Sequence, residues 1–217
     1  MSLKGAIFDL DGVVVNTVPL HFKAWKRMFG EYGKKFNFQD YKMKVDGIPR
    51  IDGARAILPE LSKEELNKAA ARKQGYYLQF LKKEGVEIYA SAINLIKSLR
   101  KNDIKVAIIS SSKNCLLILK KARIVNLFDV IITGNDIKRG KPHPEIFLSA
   151  AKRLGLKTRD CVVFEDAVLG IEAAKRAKMK AIGIDHYHKP NRLKKADLVV
   201  GNLKGINISN LEELVSL

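Results

Sequence analysis

The ends of four apolar runs carry residues that could do chemistry together. Asp9 and Asp11 follow the first run, separated by Leu10 and closed by Gly12. Ser110, Ser111 and Ser112 follow the second, Lys141 lies beyond the third just before Pro142, and Glu165 and Asp166 end the fourth. Two carboxylates so spaced can divide the labour of phosphoryl transfer. Asp9 can attack phosphorus and hold the group as an aspartyl phosphate. Asp11 can give and take the proton of the leaving or attacking hydroxyl. A carboxylate repels the phosphoryl oxygens it must approach, so a divalent cation and fixed donors have to offset that charge. Mg²⁺ prefers oxygen ligands and keeps several waters. Asp9, the main-chain carbonyl of Asp11, and Asp166 can supply oxygens, with Glu165 ligating through water or orienting one. Ser110 and the amides after it are expected to open a helix that holds a phosphate, and Lys141 to place a positive charge on the same oxygens.

Each stretch alone has a plainer use. An Asp-x-Asp sequence serves as a turn or cap, serines as N-caps, Lys141-Pro142 as the start of a helix, and Glu165-Asp166 as a complement to a helix dipole. Their recurrence at successive strand ends favours the joint reading.

Bringing four strand ends together requires a parallel sheet, whose ligands bind beyond the carboxyl ends of its strands. The pattern fits an α/β fold, a Rossmann-like core in which short apolar strands alternate with amphipathic helices. Strands are expected at residues 5–9, 104–109, 130–133, 161–164, 181–184 and 198–200, with helices at 114–123 and 211–217 and helical faces around Leu95, Phe147 and Ile171. Residues 16–86 break the alternation and read as helical: Phe22, Trp25, Phe29 and Tyr32 recur at helical spacing, and Ser62 with Glu65 forms a capping box for a helix reaching about Lys83. The expected organisation is a core of residues 1–15 and 87–217 with a helical cap inserted at 16–86, hinged near residues 14–18 and 85–90.

Composition narrows the setting. The chain has 217 residues, 47% of them hydrophobic, enough for a substantial core. No apolar run approaches the ~20 residues of a membrane span, and the aspartates begin too early for a signal peptide to be expected. Cys115 and Cys161 lack metal-type spacing and read as small core residues in a reducing cytoplasm. The net charge of +17 attracts anions. Its lysines are scattered in pairs without a nucleic-acid motif, so a solvated basic surface is expected and no specific nucleic-acid partner.

The stretch Phe8, Asp9, Leu10, Asp11, Gly12, Val13, with the later strand ends and an inserted cap, resembles the haloacid dehalogenase-like superfamily over nearly the whole chain. Within it the sequence is most similar to β-phosphoglucomutases. His21 to Lys26 resembles that family's helix after the hinge, beside the hinge residue Thr17. Gly47, Ile48, Pro49 and Arg50 match the loop whose arginine holds the substrate's distal phosphate. Ser110, Ser111, Ser112, Lys113 and Asn114 resemble its Ser-x-Ser-Lys-Asn element, whose first two positions serve the transferring phosphate and whose last three serve the distal one. Arg72, Lys73 and Gln74 resemble a cap segment with a substrate-contacting lysine.

Without the resemblance these residues have other uses. Lys73 lies on the apolar stripe of Leu66, Ala69, Ala70, Phe80 and Leu81, where it either snorkels outward or points into a cleft. His21 either packs beside Trp25 or relays a proton, and Arg50 is an ordinary surface residue. Asn16, Ala167 and the Tyr89, Ala90, Ser91 segment depart from the mutase pattern. The resemblance implies a monomeric, cytoplasmic, Mg²⁺-dependent enzyme acting on a small phosphorylated metabolite, a sugar phosphate bound between cap and core. The rivals are a phosphatase of the same fold and a non-catalytic member that binds nucleic acid or protein.

Overall fold

In the computed structural model, residues 2–186 and 190–216 are described. The elements in chain order are β1 (Gly5–Asp9), β2 (Val15–Asn16), α1 (Val18–Gly30), α2 (Phe38–Asp40) running into a π-helical turn at Tyr41–Val45, α3 (Arg50–Ile57), α4 (Lys63–Glu84), β3 (Glu87–Ile88), α5 (Ala90–Lys101), β4 (Lys105–Ile109), α6 (Cys115–Ala122), β5 (Val130–Ile132), α7 (Glu145–Leu154), β6 (Cys161–Glu165), α8 (Val168–Arg176), β7 (Lys180–Ile184), β8 (Leu198–Val200) and α9 (Ile208–Ser216). The chain divides into two compact units, Met1–Asn16 with Glu87–Leu217, and Thr17–Val86.

In the first unit the strands form one parallel sheet in the order β5-β4-β1-β6-β7-β8. Its central strands are apolar almost throughout because both faces are covered. Ile7, Ala107, Ile109 and Val163 pack one face against Ile146, Phe147 and Ala150 of α7 and Ile171 and Ala174 of α8. The alternate residues Phe8 and Phe164 stack on each other at 4.2 Å on the other face. From β1 the chain builds outward to β4 and β5, then returns to β6 and builds the other way, so β1 sits at the switch point of the sheet.

The structure departs from the sequence-based expectations at two places in this unit, the start of α9 and residue 16. The helix expected over 114–123 is formed as α6, with the three serines on the bend before it. The Ser112 amide donates to Ser110 Oγ at 3.0 Å and the Asn114 amide to Ser112 Oγ at 3.1 Å. The serine hydroxyls thus take up amides on the bend that leads into α6. Helix α9 starts at Ile208, ahead of the expected 211, because Asn207 and Asn210 exchange side chain-to-amide bonds of 3.1 Å across its first turn; residue 217, its expected end, lies outside the described residues. Where the insert leaves and rejoins the sheet unit, a short antiparallel ladder pairs Val15 with Ile88 and Asn16 with Glu87. The Asn16 side chain donates to Glu87 at 2.9 Å, and Asn16 therefore belongs to the sheet unit, not the inserted one.

The second unit is helical. Trp25, Met28 and Phe29 of α1 pack with Leu66 and Ala69 of α4 and with Ala54 of α3. The capping box at Ser62 and Glu65 is formed as expected, and α4 ends at Gly85 with φ +74°, a conformation that favours glycine. Its buried stripe is Leu66, Ala69, Ala70, Lys73, Tyr77 and Leu81. Phe80 is only half-buried, and Tyr77 occupies the inward position one turn after Lys73.

Candidate functional site

Asp9 ends β1 and is 5% exposed, with Glu165, at the end of the neighbouring β6, wholly buried. Lys141 Nζ donates to Asp9 Oδ1 at 2.7 Å and also to Glu165 Oε1. The second oxygen of Asp9 accepts the Asp11 amide at 3.0 Å. Glu165 Oε2 accepts the amides of Asp166 at 2.7 Å and Ala167 at 3.1 Å. Its carboxylate is therefore bound to Lys141 on one side and to the following turn on the other. Asp11 turns its carboxylate to Ser110, whose hydroxyl donates at 2.9 Å. Ser110 is buried, whereas Ser112 and Asn114 are half-buried and Ser111 and Lys113 exposed along the bend toward α6.

Electrostatics couple these groups. Burial pulls the pKa of Lys141 down, but the carboxylates of Asp9 and Glu165 outweigh it and hold it above the ordinary lysine value. For Asp9 the balance goes the other way. Burial pushes its pKa well up, Lys141 pulls it down, and Glu165 and Asp11 push it up again. Three carboxylates, of Asp9, Glu165 and Asp166, gather near the ammonium of Lys141. Oxygens of Asp9, Glu165 and Asp166 lie within 4.8 Å of one another in the cluster among the described residues that could hold a metal. An all-carboxylate donor set fits a hard divalent cation.

Two glycines make room for this arrangement, and the sequence reading gave neither a role. A Cβ on Gly12, whose φ is +82°, would lie 2.3 Å from Asp166 Oδ2. A Cβ on Gly170 of α8 would lie 1.5 Å from Glu165 Oε1. The available signal at 170 was a glycine on the inward face of a helix, where a larger side chain would ordinarily pack.

The second unit gathers its own polar group. Lys73 is 2% exposed, so it does not snorkel. Its Nζ donates to His21 Nδ1 at 2.8 Å and lies 5.0 Å from the ring centre of Trp25 and 5.2 Å from that of Tyr77. His21 stacks on Tyr77 at 4.2 Å. Burial first, then the charges of Lys73 and Arg50, hold the imidazole well below its usual pKa. His21 is thus a neutral acceptor that orients Lys73. Arg50 is half-buried at the start of α3, and Thr17 is buried at the N-cap of α1.

The family model described as haloacid dehalogenase-like hydrolase matches residues 6–184. The chain belongs to that family. Among its relatives, the β-phosphoglucomutase of Bacillus subtilis is 33% identical over 97% of this chain and 95% of its own. The phosphorylated carbohydrates phosphatase of Thermotoga maritima is 34% identical over 85% of this chain and 86% of its own. The crystal structure of β-phosphoglucomutase from Clostridium difficile superposes with a TM-score of 0.89 at 30% identity, covering 99% of this chain and 97% of that one. As a haloacid dehalogenase-like hydrolase with such relatives, the chain is a phosphoryl-transfer enzyme. No helix among the described residues is long and apolar enough to cross a membrane.

Proposed function

We propose that this enzyme moves a phosphoryl group between positions of a sugar phosphate through an aspartyl phosphate on Asp9, with Mg²⁺ as cofactor. The observation that carries this reading is the buried pairing of Asp9 with Lys141, 2.7 Å apart, inside a cluster of carboxylates. Asp9 attacks phosphorus as the bond to the sugar oxygen breaks, and Asp11 gives its proton to that oxygen. In the second half a sugar hydroxyl attacks the aspartyl phosphate, Asp11 takes its proton, and Asp9 is freed. Lys141, held by Glu165, keeps a positive charge against the phosphoryl oxygens. Ser110 orients Asp11 and, with Ser111, offers donors to the transferring phosphate. Asp9, the Asp11 carbonyl and Asp166 would hold Mg²⁺, with Glu165 orienting a water; the ion would supply charge neutralisation at the phosphoryl group.

The relatives' names support a small phosphorylated carbohydrate as substrate. In the inserted unit we assign Arg50 and Lys73 to substrate binding, with His21 holding Lys73 in place and Thr17 at the hinge. Ser112, Lys113 and Asn114 are assigned to the distal phosphate. Hydrolysis is the second reading, favoured by the Thermotoga relative named as a phosphatase and by Ala167 and Asn16, which depart from the mutase pattern. Incubation with Mg²⁺, β-glucose 1-phosphate and a trace of the bisphosphate separates the two. Glucose 6-phosphate is expected; free phosphate alone would make the enzyme a phosphatase.

Arg50 provides a sharper test. A mutase must hold its bisphosphate by both ends, and a guanidinium grips a phosphate with two parallel hydrogen bonds. Arg50→Ala is expected to slow glucose 6-phosphate formation ~30- to 1000-fold, the equivalent of ~2–4 kcal/mol, while sparing hydrolysis of a small aryl phosphate. Equal loss of both activities would make Arg50 structural.

The metal assignment has its own test. Asp166→Ala is expected to weaken Mg²⁺ binding in calorimetry ~10- to 100-fold and to slow transfer, because water cannot replace the ligand's negative charge. Undiminished turnover of the wild type in excess chelator would remove the metal from the mechanism.

A further inference from the structure

We propose that His186, just after β7, and Arg192, in the turn ahead of β8, clamp the active site as positioning residues for the nucleophile loop and the acidic loop. This rests on the reaction proposed above and adds two residues to it that touch neither substrate nor metal ligand side chains in that scheme. His186 Nε2 lies 2.6 Å from the carbonyl oxygen of Gly12. A carbonyl can only accept, so Nε2 carries the proton and donates. The imidazole is held in turn by the ring of Tyr89, stacked on it at 4.9 Å with an interplanar angle of 18°. The Tyr89 amide donates to the Val14 carbonyl at 3.0 Å, so Tyr89 grips the same loop a second time. Arg192 Nη2 donates to the carbonyl oxygen of Asp166 at 2.9 Å.

The two carbonyls lie where the sheet no longer holds the chain. Gly12 comes after β1 has ended at Asp9, and Asp166 after β6 has ended at Glu165. The Gly12 amide is tied to the Val15 carbonyl at 2.8 Å, but its own carbonyl, like that of Asp166, is reached by a side chain. A side-chain donor gives each of these carbonyls a fixed partner. The two loops also meet, since the missing Cβ of Gly12 is what admits the Asp166 carboxylate. Displacing either carbonyl therefore moves the Asp11 main chain or the Asp166 carboxylate relative to Asp9. Misplacement of about 1 Å at a reacting group costs up to ~100-fold in rate, and loss of an outer hydrogen-bond partner of a metal ligand typically costs ~10- to 100-fold in affinity or activity.

The test uses the full chain with His186→Leu, His186→Gln, Arg192→Met, Arg192→Lys and, as reference, Asp9→Asn. The readouts are kcat, KM, Mg²⁺ affinity by calorimetry without substrate, and thermal melting. Arg192→Met is expected to weaken Mg²⁺ binding ~10-fold or more and to lower kcat ~10- to 100-fold with KM within about twofold of wild type. His186→Leu is expected to lower kcat over the same range. His186→Gln, whose amide N–H can occupy the place of Nε2–H, should recover kcat to within about threefold of wild type. A mere packing role would track melting temperature and would not be rescued by Gln. If the Leu or Met variant does not fold, the Gln and Lys variants carry the test: Gln is to keep wild-type kcat, and Lys, lacking the guanidinium's reach, is to show the weakened Mg²⁺ binding. Should both positions leave kcat and Mg²⁺ affinity within twofold of wild type while Asp9→Asn is inactive, the clamp is wrong and the reaction stands. Should the wild type neither bind Mg²⁺ nor form a phosphoenzyme, the proposed function falls and the clamp with it.

Discussion

Asp9→Asn is expected to abolish turnover and phosphoenzyme formation in a protein that still folds. The amide is close in shape to the carboxylate but has no anionic oxygen with which to attack phosphorus. Its remaining oxygen can still accept from Lys141, now 2.7 Å from Asp9 Oδ1, while its amino group would face the Asp11 amide that Oδ2 accepts. One hydrogen bond is thus replaced by two donors in opposition, a cost of ~1–3 kcal/mol that a domain of this size can absorb. The loss of a negative charge from a crowded carboxylate cluster works in the opposite direction. Circular dichroism should match the wild type, and transfer of labelled phosphate to the protein should be absent. Wild-type turnover in protein verified by mass, so that deamidation back to aspartate is excluded, would end the nucleophile assignment.

Lys141→Met should damage both stability and catalysis. Methionine keeps most of the length and apolar stem but leaves Asp9 and Glu165 facing each other without their shared cation. Removing one partner of a buried ion pair typically costs ~3–5 kcal/mol, because a charge remains buried and uncompensated. Loss of a fixed positive charge at the phosphoryl oxygens should slow transfer a further ~100- to 1000-fold. The stability deficit has a predictable pH dependence. Burial already raises the folded-state pKa of Asp9, and without Lys141 it rises further. A carboxyl with a raised folded pKa favours the folded state at low pH, and that contribution is lost as pH rises through the folded value. Urea unfolding of the variant should therefore fall further behind wild type at about pH 8 than at about pH 5, and Mg²⁺ should restore part of the difference. A stability within about 1 kcal/mol of wild type at both pH values would mean that Lys141 does not compensate the cluster.

The strand ends were legible because apolar runs that stop abruptly at Asp9, Ser110 and Glu165 are what a sheet covered on both faces produces. The capping box at Ser62 and Glu65 was legible for a similar reason: its residue types and spacing have few other uses. Lys73 was not decidable, since a lysine on an apolar stripe has the same sequence whether it snorkels or is buried. Only the neighbouring rings of Trp25 and Tyr77 and the acceptor on His21 decide it. His186 and Arg192 left no trace. Their partners are main-chain carbonyls, which every residue possesses, so no pairing of side-chain types marks the contact. The ladder between β2 and β3 is two residues long on each side, too short for alternation to appear.

That short ladder has a consequence for how such enzymes change. Asn16 and Glu87 face each other across it as neighbours, so the chain departs and returns through adjacent points. Antiparallel neighbours of this kind can be joined by two residues in a hairpin turn. All of Thr17–Val86 is, in topological terms, a detour between two residues already in register. A different insert, or a simple turn, could be spliced there without shifting any strand of the parallel sheet. The groups at the strand ends would then stay in place while the segment carrying Arg50 and Lys73 was exchanged as a module, separating inheritance of the sheet's residues from inheritance of the insert's.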